Sequence, residues 1–104
     1  MTTFDDVLNA FSALSFLVRP DHVPIGTEVP FGEYTFRPVN FSADGKVYHS
    51  GYQFTLSVYM DKLSDAILTE VTGALDDLGV VWQQDEPIYI SDSEIYEIDF
   101  NFGI

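Results

Sequence analysis

Two stretches of two-residue alternation constrain this chain most. Tyr52, Phe54, Leu56, Val58 and Met60 alternate with Gln53, Thr55, Ser57 and Tyr59, and Tyr96, Ile98, Phe100, Phe102 and Ile104 alternate with Glu97, Asp99, Asn101 and Gly103. Successive side chains of a strand point to opposite faces, so each stretch reads as a strand with one apolar and one mostly polar face. Strands of this kind belong to a sheet covered on one side only. The two together offer ten apolar side chains, and another layer must cover them.

That layer is predicted as two helices. Phe4, Val7, Leu8, Phe11 and Leu14 fall at steps of three and four, the spacing of one helix face, from Thr3 to about Leu14. Thr3 is the N-cap, and Asp6 completes a capping box with Asp in place of Glu. Leu63, Ile67, Val71, Leu75 and Leu78 repeat the spacing in a second helix, opened by Asp61 as N-cap and closed by Gly79. Gly73 inside it costs about 1 kcal/mol against Ala, which predicts a close approach of another element there.

The remaining segments complete the sheet. Glu33 to Val39, Val80 to Gln83 and Ile88 to Ile90 read as further strands, and Ser15–Val18 as a helix end or a small strand. Asp44-Gly45 marks a tight hairpin turn, Gly51 is the expected bulge, and Pro38 sets a strand end at an edge or a bulge. Arg19 to Gly32 holds three prolines and two glycines, so it is an extended connector. The expected fold is α+β, a mainly antiparallel sheet of about four to five strands with two helices packed on one face, in a single domain over residues 1–104. Leu56, Val58, Leu75, Ile98 and Phe100 are expected in the core.

Composition narrows the function. Four Lys and Arg face 17 Asp and Glu, a net charge of −13. Grip on a phosphate backbone comes from Lys and Arg releasing counterions, so non-specific nucleic-acid binding is disfavoured, and no sequence-specific binding is expected either. An anionic membrane surface is disfavoured for the same reason, and no apolar run approaches the ~18 residues of a span. Met1 to Val18 lacks a basic n-region and carries Asp5 and Asp6, which argues against a signal peptide. With no cysteine there is no thiolate nucleophile, disulfide or zinc–thiolate site. His22 and His49 form no H-x-x-x-H pair and read as surface or edge residues. No nucleophile elbow, P-loop or calcium loop is present. No catalytic residue, metal or cofactor is expected. Glu97 and Asp99 share the polar face of the last strand and read as a solvated face, a cation site or a surface turned to a partner. Phe41, Val47 and Tyr48 sit at or beside the hairpin tip, where a monomer gains little from large apolar groups, so they mark a partner surface.

The layout resembles the tail terminator (tail-completion) proteins of long-tailed bacteriophages, in the branch common in phages of Gram-positive hosts. The segments that carry the resemblance are the amphipathic opening helix, Val29-Pro30-Phe31 leading to Tyr34-Thr35, Asn40 through Tyr48, Tyr52 through Tyr59 before a helix, Leu78-Gly79-Val80, and the closing Ser93 through Phe100. The resemblance implies a small α+β structural protein without enzyme activity, made in the host cytoplasm and located in the virion. It implies a homo-oligomeric ring, a hexamer, that caps the tail tube, stops its polymerisation and joins tail to head. The implied partners are other copies of the chain, the major tail tube protein and a head-completion or connector protein. Arg37, Phe41, Lys46, Val47, Tyr48 and Tyr59 map onto ring or tube contacts, and Glu97 and Asp99 onto the lumen wall. The alternatives are another head–tail neck component, or an acidic DNA mimic that occupies the basic groove of a host nuclease.

Overall fold

The two alternating stretches pair with each other. The computed structural model describes residues 2–22, 24, 26–43 and 46–104, and only the backbone of 41–43 and 46–50. Its elements are α1 (Phe4–Ser12), β1 (Leu17–Pro20), β2 (Phe31–Ala43), β3 (Lys46–Met60), α2 (Asp65–Leu78), β4 (Trp82–Gln84), β5 (Ile88–Ile90) and β6 (Ile95–Gly103). β3 and β6 run antiparallel with Phe54 opposite Phe102, Leu56 opposite Phe100 and Val58 opposite Ile98. Directly opposite residues share a face, so this register gathers the apolar members of both strands on one side. The polar members go to the other.

The sheet order is β1-β2-β3-β6-β4, with β5 also on β6. β4 and β5 share the far edge of β6, opposite residues 100–102 and 95–97. Every pairing is antiparallel except β1 with β2, which is parallel. The six-stranded α+β sheet matches the expected class, and the strand beyond the expected four to five is β1, the small-strand alternative for Ser15–Val18.

Both helices lie on the apolar side. Val7 and Phe11 of α1 and Val71 and Leu75 of α2 join Phe54, Leu56, Val58, Met60, Ile98, Phe100 and Phe102 in one buried cluster. Leu56, Val58, Ile98 and Phe100 are 0% exposed and Leu75 is 1% exposed, as the alternation requires. α1 begins where its capping box places it. Thr3 Oγ1 accepts from Asp6 N at 3.2 Å, and Thr3 N donates to Asp6 Oδ2 at 2.9 Å. The bond from Thr3 N to the Asp6 carboxylate, and after it one from the Thr3 side chain, hold that carboxyl below its usual value.

Several expectations are corrected. α2 starts at Asp65, not after Asp61. Its N-cap is Ser64, whose Oγ accepts from Ile67 N at 3.4 Å. Met60 is still a buried strand residue, so the chain needs residues 61–63 to climb from sheet to helix layer. That leaves Leu63 outside the helix and 49% exposed. Gly79 does close α2, at φ +74. β2 runs through Pro38 to Ala43, because β1 flanks it only along Phe31–Tyr34 and Pro38 therefore sits on a free edge. The bulge is not at Gly51, which pairs regularly with Val39. The register shifts between Phe41 (opposite His49) and Ser42 (opposite Val47), leaving Tyr48 as the extra residue. The strand expected at Val80–Gln83 lies at Trp82–Gln84, since Val81 is still outside it and 91% exposed. A Cβ at Gly73 would meet nothing within 4 Å, so no element approaches there.

Two opposite stability effects follow from this packing. Leu75→Ala removes a fully buried side chain and should destabilise the protein by about 2–5 kcal/mol in chemical denaturation. Gly73→Ala fills open space on an exposed helix face and should stabilise it by about 0.5–1 kcal/mol.

Candidate functional site

The pairing leaves a ribbon without lateral support. β1 stops beside Tyr34, and the β3–β6 ladder ends with Gln53 opposite Gly103. Beyond it only Tyr52 and Ile104 exchange backbone bonds, at 2.9 and 3.3 Å. Residues 39–43 and 46–51 are thus a two-stranded ribbon with no third strand beside them among the described residues. The molecule is accordingly long, 49 × 26 × 23 Å. At the ribbon's base Phe4 of α1 meets Phe36 at 4.8 Å and Tyr52 at 5.0 Å between ring centres. Those two rings remain 46% and 36% exposed, so the sheet's apolar face emerges from under the helices here.

Most of the expected contact residues belong to this ribbon. Arg37 is exposed on β2, opposite Gln53. Phe41, Lys46, Val47 and Tyr48 lie in the ribbon strands near the turn, and Ala43 pairs with Lys46 across it. The side chains of Phe41, Lys46, Val47 and Tyr48, and the turn residues Asp44 and Gly45, lie outside the described residues.

Tyr59 belongs to a different surface, the face of the sheet opposite the helices. The register lays out two rows there. Phe31, Tyr59, Glu97 and Ile88 form one, and Glu33, Ser57 and Asp99 the next. Tyr59 is half-buried, its ring stacked on Phe31 at 4.9 Å, and its hydroxyl donates to Glu33 Oε2 at 3.4 Å. Glu97 and Asp99, two residues apart on β6, stand beside it. Asp99 Oδ1 is buried without a hydrogen-bond partner. Burial pushes the Glu97 carboxyl up to about 7, aided by a hydrogen bond to Asp99 and the charges of Asp99 and Glu33, and opposed by a bond from the Tyr59 hydroxyl. Burial, then the charges of Glu97, Glu33 and Asp99, push the Tyr59 hydroxyl above its usual value.

The expected residues therefore fall on two surfaces. Arg37, Phe41, Lys46, Val47 and Tyr48 are on or beside the ribbon, whereas Tyr59, Glu97 and Asp99 form one polar cluster at the other end of the sheet. Glu33 completes that cluster and escapes the sequence reading, because only the β2–β3 register brings it to Ser57 and Asp99. Next to the cluster is an open hollow of about 640 Å³, lined by Pro24, Thr27 and Val29 of the connector and by Phe31 and Ile95 of the sheet. Farther along the same face Thr55 Oγ1 donates to Asn101 Oδ1 at 2.8 Å, and Asn101 Nδ2 donates to Asp85 Oδ2 at 3.1 Å. Among the described residues no group of three or more His, Asp or Glu is arranged to hold a metal ion, and no helix is long and apolar enough to cross a membrane.

No protein-family model and no curated protein matches the chain. A solved structure does match by fold. It is a chain of the virion of a native gene transfer agent particle, 17% identical, with a TM-score of 0.55 over 93% of this chain and 81% of that one. The likeness establishes a shared fold spanning nearly all of this chain and about four fifths of the other.

The carboxyl cluster has a measurable signature. Glu97 binds its proton more tightly folded, near 7, than at its ordinary 4.5, so its contribution is fully present below pH 4.5 and is lost as pH rises through 7. Thermal melting from pH 4.5 to 8.5 should show Glu97→Gln losing less stability with rising pH than the parent. Parallel profiles would mean that Glu97 titrates alike in the folded and unfolded chain.

Proposed function

We propose that this chain is a structural protein of a phage-type virion and acts as a tail terminator. In this reading copies of the chain form a closed ring on the end of the tail tube, stop its growth and offer the surface that joins the head. The partners are other copies, the major tail tube protein and a head-completion or connector protein, and the place of action is the virion. The observation that carries the reading is the fold likeness to a chain of the gene transfer agent virion across 93% of this sequence. The unsupported ribbon agrees with it, because exposed strand edges with apolar residues are surfaces built for association. The function rests on shape and contact, with no catalytic group and no cofactor.

Charge shapes how such a ring assembles. Each copy brings −13, so copies repel at long range and the net repulsion must be overcome by short-range contact. Raising salt from about 0.05 to 0.5 M shortens the screening length from ~14 to ~4 Å and relieves that repulsion. Sedimentation at fixed protein concentration should show one discrete oligomer whose share rises over this range. A monomer at every salt and concentration would dispose of the ring.

A further inference from the structure

The sheet ends on two outer strands that complement each other. β1 pairs with β2 and β5 with β6, and among the described residues nothing pairs with the outer side of either. Unpaired backbone of this kind is a template for another strand. Both edges also hold large apolar side chains in water. Leu17 of β1 is 48% exposed, and Ile88 and Tyr89 of β5 are 54% and 52% exposed. Their charges differ in sign. Arg19 is the one charged residue of β1, and it is exposed. β5 lies within residues 63–104, which hold ten Asp and Glu and no Lys or Arg. Asp85 and Glu86 come just before it in the chain, and Glu97 pairs with its Ile88.

Strand direction and proline positions specify how the two edges fit. β2 and β6 both run antiparallel to β3, so they point the same way. β1 is parallel to β2 and β5 antiparallel to β6, so β1 and β5 run in opposite directions. Two copies set side by side, helices on the same side, therefore bring β1 of one to β5 of the next as an antiparallel pair. Pro20 ends β1 and Pro87 precedes β5, and neither can donate to a ladder. Both prolines fall at the end of the ladder only with Leu17 opposite Ile90, Val18 opposite Tyr89 and Arg19 opposite Ile88. A shift by two residues in either direction brings one proline into the ladder, and a shift by one sets every side chain opposite one from the other face. The favoured register joins Leu17 to Ile90 on the helix-free face and Val18 to Tyr89 on the helix side. It also brings Arg19 beside Ile88, into the row of Glu97 and Tyr59.

We infer that β1 of one copy adds to β5 of the next in this register, so that Arg19 of one copy meets the carboxylates around Glu97 of the other. This rests on the ring reading and deepens it by naming the strands that meet. A contact between two different edges of the same chain is heterologous and generates a closed ring or an open filament. Backbone pairing and the apolar side chains supply the attraction. Arg19 selects the partner edge, while the overall −13 still sets the salt dependence.

The chain has no cysteine, so introduced thiols test the register directly. Full-length Val18→Cys and Tyr89→Cys chains are mixed, allowed to assemble and treated with oxidised glutathione, which takes up the two hydrogens as the thiols couple. Opposite residues of an antiparallel pair have Cα atoms about 4.5–5.5 Å apart, within the ~4.4–6.8 Å of a disulfide. Within one chain four strand spacings separate β1 from β5, roughly 19 Å, so one copy cannot bridge them itself. The mixture should give the covalent dimer of unlike chains, and neither chain alone should couple. Val18→Cys mixed with Ile88→Cys, whose side chain lies on the other face, is the control. Arg19→Glu should weaken self-association about tenfold with little change in melting temperature. A discrete oligomer whose Val18→Cys and Tyr89→Cys mixture couples no more than the control overturns the edge pairing and leaves the ring intact. Unchanged association of Arg19→Glu overturns the part given to Arg19. A chain that stays monomeric up to millimolar concentration overturns both the pairing and the ring.

Discussion

The antiparallel ladder between β3 and β6 governs the rest of the structure. Its register sets Phe54, Leu56 and Val58 opposite Phe102, Phe100 and Ile98. A slip by one residue would place each of these side chains opposite a polar one and split the apolar surface between two faces. Both helices depend on that surface, since Val7, Phe11, Val71 and Leu75 have no other core to enter. The same ladder makes the polar face. By bringing Tyr59 to Glu97 and Ser57 to Asp99, it concentrates carboxylates where no helix covers them. The apolar core and the polar face are two sides of one pairing.

The β2–β3 hairpin meets the same requirement by another route. Asp44-Gly45 joins Ala43 to Lys46, and those two residues pair. Carried on unchanged, that pairing would set Tyr34 opposite Thr55, an aromatic residue of the helix side against one of the polar side. The extra residue at Tyr48 moves the register by one, and Tyr34 comes to lie opposite Leu56. Turn and alternation are thus compatible only if one residue between them is left over. The need for a bulge was legible in the sequence. Its position was not, because Gly51 is the more obvious candidate by residue type, and the position that keeps the pairing regular on both sides is a property of two strands at once.

Legibility followed the same division elsewhere. The helix faces, the Thr3–Asp6 box, Gly79 as the closing residue and the five core side chains depend on spacing along one segment, and they could be read there. The start of α2 could not, because Asp61 and Ser64 are both good N-cap types and the choice between them depends on how far the chain must climb from a buried Met60. The candidate surfaces divide likewise. Glu97 and Asp99 are two residues apart on one strand, so their shared face is visible in the sequence. Glu33 and Tyr59 join them only through cross-strand register. Gly73 misled the reading because a glycine in a helix states a tolerance for close approach and not its presence.

These features describe a chain whose stability resides in the covered half of its sheet, and in the ring reading proposed above the parts left uncovered are those that meet other copies. Hydrogen exchange measured on dilute and concentrated samples separates the two most directly. The account predicts that amides of β3 from Phe54 to Met60 and of β6 are protected equally in both samples, while amides of residues 39–51 gain protection as the protein associates. Association without any gain of protection in 39–51 would contradict it.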